Sequence, residues 1–186
     1  VHANILFMEI RNISIFGFCN IKQFNINLTE FNALVAPNNY GKSNVLEGIR
    51  FAFRFINATE DERQAMMSDP SFIPINNATS GDAFRFGIEL TNGDDADEIV
   101  YSYSFSFEWA KNNGNLGCCI TDESLTEISK EYRRPHTLIK RAKVDGGLYV
   151  SSVTGRCNKD AKASSTQLVI DTLYGNDNIF YKEVIS

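Results

Sequence analysis

Proline is scarce, tryptophan occurs once, and no stretch of the 186 residues approaches the roughly 20 continuous apolar positions that a membrane-spanning helix needs. No membrane partner is therefore expected. Cysteine is sparse and badly spaced: Cys118 and Cys119 are adjacent, Cys19 and Cys157 stand alone, and no C-x-x-C pair offers zinc a site. These thiols are expected to be free and packed as small apolar groups. Positive charge is not in excess either, since 18 Lys and Arg face 23 Asp and Glu, for a net charge of −5. That balance argues against a domain gripping nucleic acid over its whole surface, and leaves room only for a local basic patch. The opening Val1-His2-Ala3-Asn4 has neither an initiating Met nor a basic start, so it does not read as a secretory signal. Met8 is read as a natural start and the protein is expected to be cytoplasmic.

What the sequence does have is aromatic and apolar material, with 14 Phe, 7 Tyr and 43% apolar residues. That is enough for the core of one domain, or of one lobe of a larger one. Short apolar runs at Leu6 to Ile10 and Ile13 to Phe18 read as strands, and Phe24, Ile26 and Leu28 alternate with polar residues at period two. Phe31 to Val35 reads as a strand covered on both faces at the centre of a sheet.

A helix follows from Ser43 to Ile56, with Val45, Leu46, Ile49, Ala52, Phe53 and Ile56 on one apolar face. Gly48, Phe51 and Phe55 form a second apolar face, the pattern of a helix packed between two layers. The connection from Asn57 onward is polar, with one short helix near Asp61 to Met67.

Strong alternation returns at Phe84 to Leu90 and Tyr101 to Phe107, with a turn sequence at Asn92-Gly93-Asp94-Asp95 between them. Shorter strands are expected at Leu116 to Thr121, Thr137 to Arg141 and Leu148 to Val153, completing an antiparallel meander. The segment Thr166 to Tyr174 suits either a helix or a strand.

Between the buried strand and the helix lies Ala36-Pro37-Asn38-Asn39-Tyr40-Gly41-Lys42-Ser43, the pattern G-x-x-x-x-G-K-[ST] with Ala for the first Gly. Such a loop binds phosphate because successive backbone N–H groups curl around an anion at a helix start, where the helix dipole also favours negative charge. Asn39, Tyr40, Gly41 and Lys42 would present N–H groups, Lys42 would bridge the β and γ phosphates as the catalytic cation, and Ser43 would hold Mg2+. Asn44 continues into the helix. The expected ligand is ATP with magnesium, and the alternative is a glycine turn with a solvated lysine.

Met8-Glu9-Ile10-Arg11-Asn12-Ile13, Gly17-Phe18-Cys19-Asn20-Ile21 and the run from Leu34 to Ile49 resemble the N-terminus of AAA-type ATPase heads of the OLD and RecF kind, related to structural-maintenance-of-chromosomes and ABC ATPases. The resemblance implies an α/β fold: a P-loop NTPase lobe whose central helix packs between a mixed sheet and an antiparallel β-subdomain. On this division residues 6–56 carry strands, loop and helix, 57–83 connect, and 84–186 form the β-rich subdomain. Relatives carry Lys or Arg where this chain has Cys19, and Lys22 is close enough to compensate. The resemblance also implies a partner, a second head joined through the nucleotide, and work on DNA in repair or defence.

The same resemblance implies a Walker B strand ending in Asp-Glu and a signature loop from the partner head, which this sequence does not offer beyond Leu168-Val169-Ile170-Asp171. The chain is thus expected to be the N-terminal lobe of a longer ATPase. Gln167 stands as the glutamine that reaches magnesium in such heads, against an ordinary surface residue. Two rivals remain: a free-standing small NTPase or kinase using Asp171, and a non-catalytic interaction module with a vestigial loop.

Lys130, Arg133, Arg134, Lys140, Arg141 and Lys143 form a basic cluster that would suit nucleic-acid phosphates, or equally protect solvated strand edges. Tyr101 to Phe107 alternates too regularly for a base-stacking platform and is expected to be core. Asp94, Asp95, Asp97 and Glu98 lack the spacing of a calcium loop. His136 has no Cys or Ser placed near it for catalysis.

Overall fold

The computed structural model describes residues 8–35, 37, 41–74, 83–92, 98–110, 117–129, 135–142, 148–150 and 163–173. Seven strands form one sheet: β1 (Met8–Phe18), β2 (Ile21–Asn27), β3 (Phe84–Asn92), β4 (Ile99–Glu108), β5 (Cys119–Ile128), β6 (His136–Ala142) and β7 (Leu148–Val150). Their order is β2-β1-β3-β4-β5-β6-β7 and every pairing is antiparallel. The segments expected as two strands before Phe18 are one, with a register shift between Ile10 and Asn12 that absorbs the odd residue.

Period-two alternation separates the faces. Ile15, Phe86 and Phe105 lie in register on one face, and Ser14, Gly87 and Ser104 lie in register on the other. The apolar face carries α1 (Lys42–Ile56). Phe55 of α1 stacks on Phe105 and Phe107 with ring centroids 5.1 and 4.8 Å apart. Phe51 meets Phe18, Phe84 and Trp109. Gly48 lets the helix approach closely, since a Cβ there would sit 3.1 Å from Ile15 Cδ1.

The short helix expected in the connection is α2 (Glu60–Ser68), started by a reciprocal capping box between Thr59 and Glu62. Its Met66 and Met67 enter the same core. The undecided segment near the C-terminal end forms a short helix, α3 (Val169–Leu173).

Phe31 to Val35 departs from expectation. It is not a strand, and Phe31 and Val35 are 84% and 91% exposed. Past the last sheet contact, where Leu28 N–H donates to the Arg11 carbonyl, the chain turns locally: the Thr29 hydroxyl donates to the Phe31 carbonyl and the Asn32 amide to the Thr29 carbonyl. Such side-chain bonds compete with a ladder, and a strand needs neighbours that no described residue supplies here. The mixed sheet expected on the far side of α1 is likewise not found among the described residues. Of the two apolar faces of α1, the one carrying Gly48, Phe51 and Phe55 is buried, and the other is divided: Val45 and Ala52 are buried, Ile49 and Ile56 half-buried, and Leu46 and Phe53 more exposed. Among the described residues no helix is long and apolar enough to cross a membrane.

Candidate functional site

The sheet places its best-anchored end beside the start of α1. Phe18, fully buried, packs against Phe51, Phe72, Phe84 and Trp109, and the Trp109 indole N–H donates to the Gly17 carbonyl at 3.0 Å. The two-residue turn that follows, Cys19-Asn20, is fixed in turn by the Cys19 N–H donating to the Phe72 carbonyl at 3.0 Å. Cys19 sits in the left-handed region with φ 49°. Burial, helped by the nearby Glu47 carboxylate, pushes its thiol above the ordinary range, which disfavours the nucleophilic thiolate.

Against this turn lies the glycine-lysine junction. Gly41 has φ 87°, a left-handed conformation that L side chains rarely adopt, and it opens α1 with no side-chain cap and no acidic residue in the first turn. The helix start thus has no capping side chain from its N-cap residue, and its positive dipole end carries no acidic residue in the first turn, a setting that favours an anion. Lys42 folds back so that Nζ donates to the Pro37 carbonyl at 2.9 Å. Ser43 is exposed, and the Asn44 amide donates to Asn20 Oδ1 at 2.8 Å.

Of the loop residues singled out in the sequence, Pro37, Gly41, Lys42, Ser43 and Asn44 are described, and they lie at or next to the start of α1. Ala36, Asn38, Asn39 and Tyr40 lie outside the described residues. Asn20, which touches both Gly41 and Asn44, is a residue that motif reading passes over. Its only sequence signal is its place in a two-residue break between apolar runs.

The remaining sequence candidates lie elsewhere. Asp171 pairs with Arg63 at 2.5 Å, and the same guanidinium donates to the carbonyls of Phe55 and Ile56 in the last turn of α1. The 15 residues of α1 put roughly 22 Å between that turn and Gly41. Gln167 sits beside α3 at this far end, its carbonyl accepting from Arg141 at 2.6 Å, so the structure does not bring either residue to Ser43.

Arg141 also departs from the basic surface expected for it. It is 8% exposed and donates to the carbonyls of Ser164 and Gln167, while Lys140 is exposed. Lys130, Arg133, Arg134 and Lys143 lie outside the described residues, as do Asp94, Asp95 and Asp97. Glu98 pairs with Arg11 at 2.6 Å. Among the described residues no cluster of His, Cys, Asp and Glu is placed to hold a metal.

Next to Arg141, Glu123 is fully buried and accepts from the N–H groups of Val169 and Ile170 and from the Tyr103 hydroxyl. Burial pushes its carboxyl up despite those donors, and the Tyr103 hydroxyl is pushed up by burial and by Glu123 itself. These groups join α3 to the sheet. A cavity of about 560 Å³ opens on the opposite face of the sheet, lined by Ser14, Phe16, Arg85, Gly87, Ser104 and Asp122 among others, none of them from the loop.

Among known proteins, the family model described as an AAA ATPase domain matches residues 8–174. No curated protein and no solved structure matches the chain.

Proposed function

The chain belongs to the AAA ATPase domain family, and from that premise, with the P-loop NTPase fold and nucleotide-binding ATPase function it carries, we propose that this is the ATP-binding lobe of an OLD- or RecF-like ATPase head. The observation that carries the assignment of the site is the start of α1: an uncapped helix N-terminus opened by left-handed Gly41, with Lys42 folded over the loop. In this reading the N–H groups of residues 39–42 hold the phosphates. Lys42 leaves the Pro37 carbonyl for the β and γ phosphates, and Ser43 reaches Mg2+ through its hydroxyl.

Magnesium would neutralise the phosphate oxygens when bound; the part of the chain's own residues is to hold and orient them. The first turn of α1 carries no acidic residue, and in this reading a Walker B acid and a signature loop come from elsewhere in the head and its partner. Closure of two heads on ATP, with output directed at DNA in repair or defence, completes the proposal. What supports a larger head is the exposed edge of the second apolar face of α1, Leu46 and Phe53, with Phe31 and Val35 also exposed. A mixed sheet laid on that face would bury it.

The test is thermal unfolding with and without millimolar Mg-ATP, repeated for Lys42→Ala. A ligand present at about 100 times its dissociation constant adds about 2.7 kcal/mol. A rise of several degrees that Lys42→Ala abolishes is expected. No rise in either protein, nor in a chain extended at its C-terminal end, defeats the reading.

A further inference from the structure

We propose that Asn20 is a positioning residue for the phosphate loop, holding Gly41 and the first turn of α1 at a set distance from the β1–β2 turn before a nucleotide arrives. The inference rests on the nucleotide-binding reading above. Three observations carry it. Asn20 Oδ1 accepts from the Asn44 amide at 2.8 Å, tying the first turn of α1 to a segment 24 positions earlier in the chain. The polar edge of the same amide closes on Gly41, where a Cβ would fall 2.9 Å from Oδ1 and 3.1 Å from Nδ2. And the turn bearing Asn20 is itself held, through Cys19 to the Phe72 carbonyl and through Phe18 in the aromatic core.

The helix has no side-chain cap at Gly41. Asn20 instead holds the first turn from outside the helix, side chain to side chain, and this bond takes up no backbone N–H of the helix. A loop fixed in advance loses less freedom when it closes on a polyphosphate, so the tie contributes to affinity and not to the chemical identity of the ligand. Glycine at position 41 is favoured by its φ of 87°, and a Cβ there would in addition push the Asn20 amide aside.

Mg-ATP affinity is measured on the whole chain for the parent, Asn20→Ala, Asn44→Ala, the double variant and Lys42→Ala. Each single variant is expected to weaken Mg-ATP about five- to tenfold, the size of one lost hydrogen bond. The double variant is expected to be no weaker than either single one, because both remove the same tie. In nuclear magnetic resonance spectra without nucleotide, the Gly41 amide signal of Asn20→Ala should move while the Trp109 indole signal stays. Three results overturn the inference while leaving the nucleotide-binding reading intact: Asn20→Ala binding as the parent does, additive losses in the double variant, or a displaced Trp109 signal showing that the whole core has shifted. A parent that binds Mg-ATP no better than Lys42→Ala overturns both.

Discussion

Arg63 and Asp171 form an ion pair at 2.5 Å across 108 positions of the chain, and the guanidinium, only 1% exposed, also donates to the last carbonyls of α1. One side chain thus satisfies the open end of α1 and fastens α3 to it.

Removing that guanidinium leaves two helix carbonyls and a carboxylate without their donor. Arg63→Ala is expected to cost about 3 kcal/mol in urea unfolding. Asp171→Ala should cost less, because the Asp171 carboxylate is a third exposed and solvent already screens it. Since the pair lies at the far end of α1 from Gly41, Asp171→Ala is expected to leave the stabilisation by Mg-ATP unchanged. Loss of that stabilisation in Asp171→Ala would restore the carboxylate to the nucleotide site.

Glu123 predicts a pH dependence with a definite sign. Burial raises its folded-state pKa above the unfolded value. Between the two values the native state holds more protons, so the Glu123 contribution to stability is full below the unfolded value near about 4.3 and declines as pH rises through the folded one. Glu123→Gln removes the titration and also turns an amide donor toward the N–H groups of Val169 or Ile170, which costs about 1–3 kcal/mol. Melting curves from pH 4 upward are expected to show the parent ahead of Glu123→Gln by a margin that narrows with rising pH. A margin that widens would mean that the three donors outweigh burial.

Ser43 separates the metal from the phosphate. If its hydroxyl holds Mg2+, Ser43→Ala should keep most of the stabilisation given by ATP with chelator and lose the increment that magnesium adds, whereas Lys42→Ala loses both. Titration of magnesium into the ATP-saturated protein, followed by melting temperature, reads this directly. An unchanged increment in Ser43→Ala would place the ion on other ligands.

The alternation at Phe84 to Leu90 and Tyr101 to Phe107 made β3 and β4 legible, because a sheet with one wet face writes period two into its sequence. The loop motif was legible for a different reason: Gly41 must adopt φ 87°, and Lys42 must follow it at a helix start. Phe31 to Val35 misled because apolar content reports the wish to be covered and not what covers it. The roles of Glu123, Arg141 and Arg63 were hidden, since a buried charge is recognised by partners such as Val169, Ser164 and Asp171 that lie far away in sequence. Asn20 was hidden in the same way, its contacts being made 21 and 24 positions later.

The two apolar faces of α1 make the sharpest contrast. Phe51 and Phe55 are 3% and 0% exposed in a cluster of rings, so truncating either to Ala should cost about 3–5 kcal/mol through lost burial and the cavity left behind. Leu46, 52% exposed, has the same apolar character but little to lose on this chain alone, while Phe53, 37% exposed, still packs edge-on against Phe86 at 5.8 Å. Leu46→Gln should therefore change its stability by less than about 1 kcal/mol and Phe53→Gln by about 1–2 kcal/mol, and both should improve its solubility, since they remove exposed apolar surface. In a longer head whose sheet covers α1, the same two substitutions should become core mutations costing about 2–4 kcal/mol each. Equal, small effects in both proteins would show that nothing covers this face and would remove the main support for a second layer.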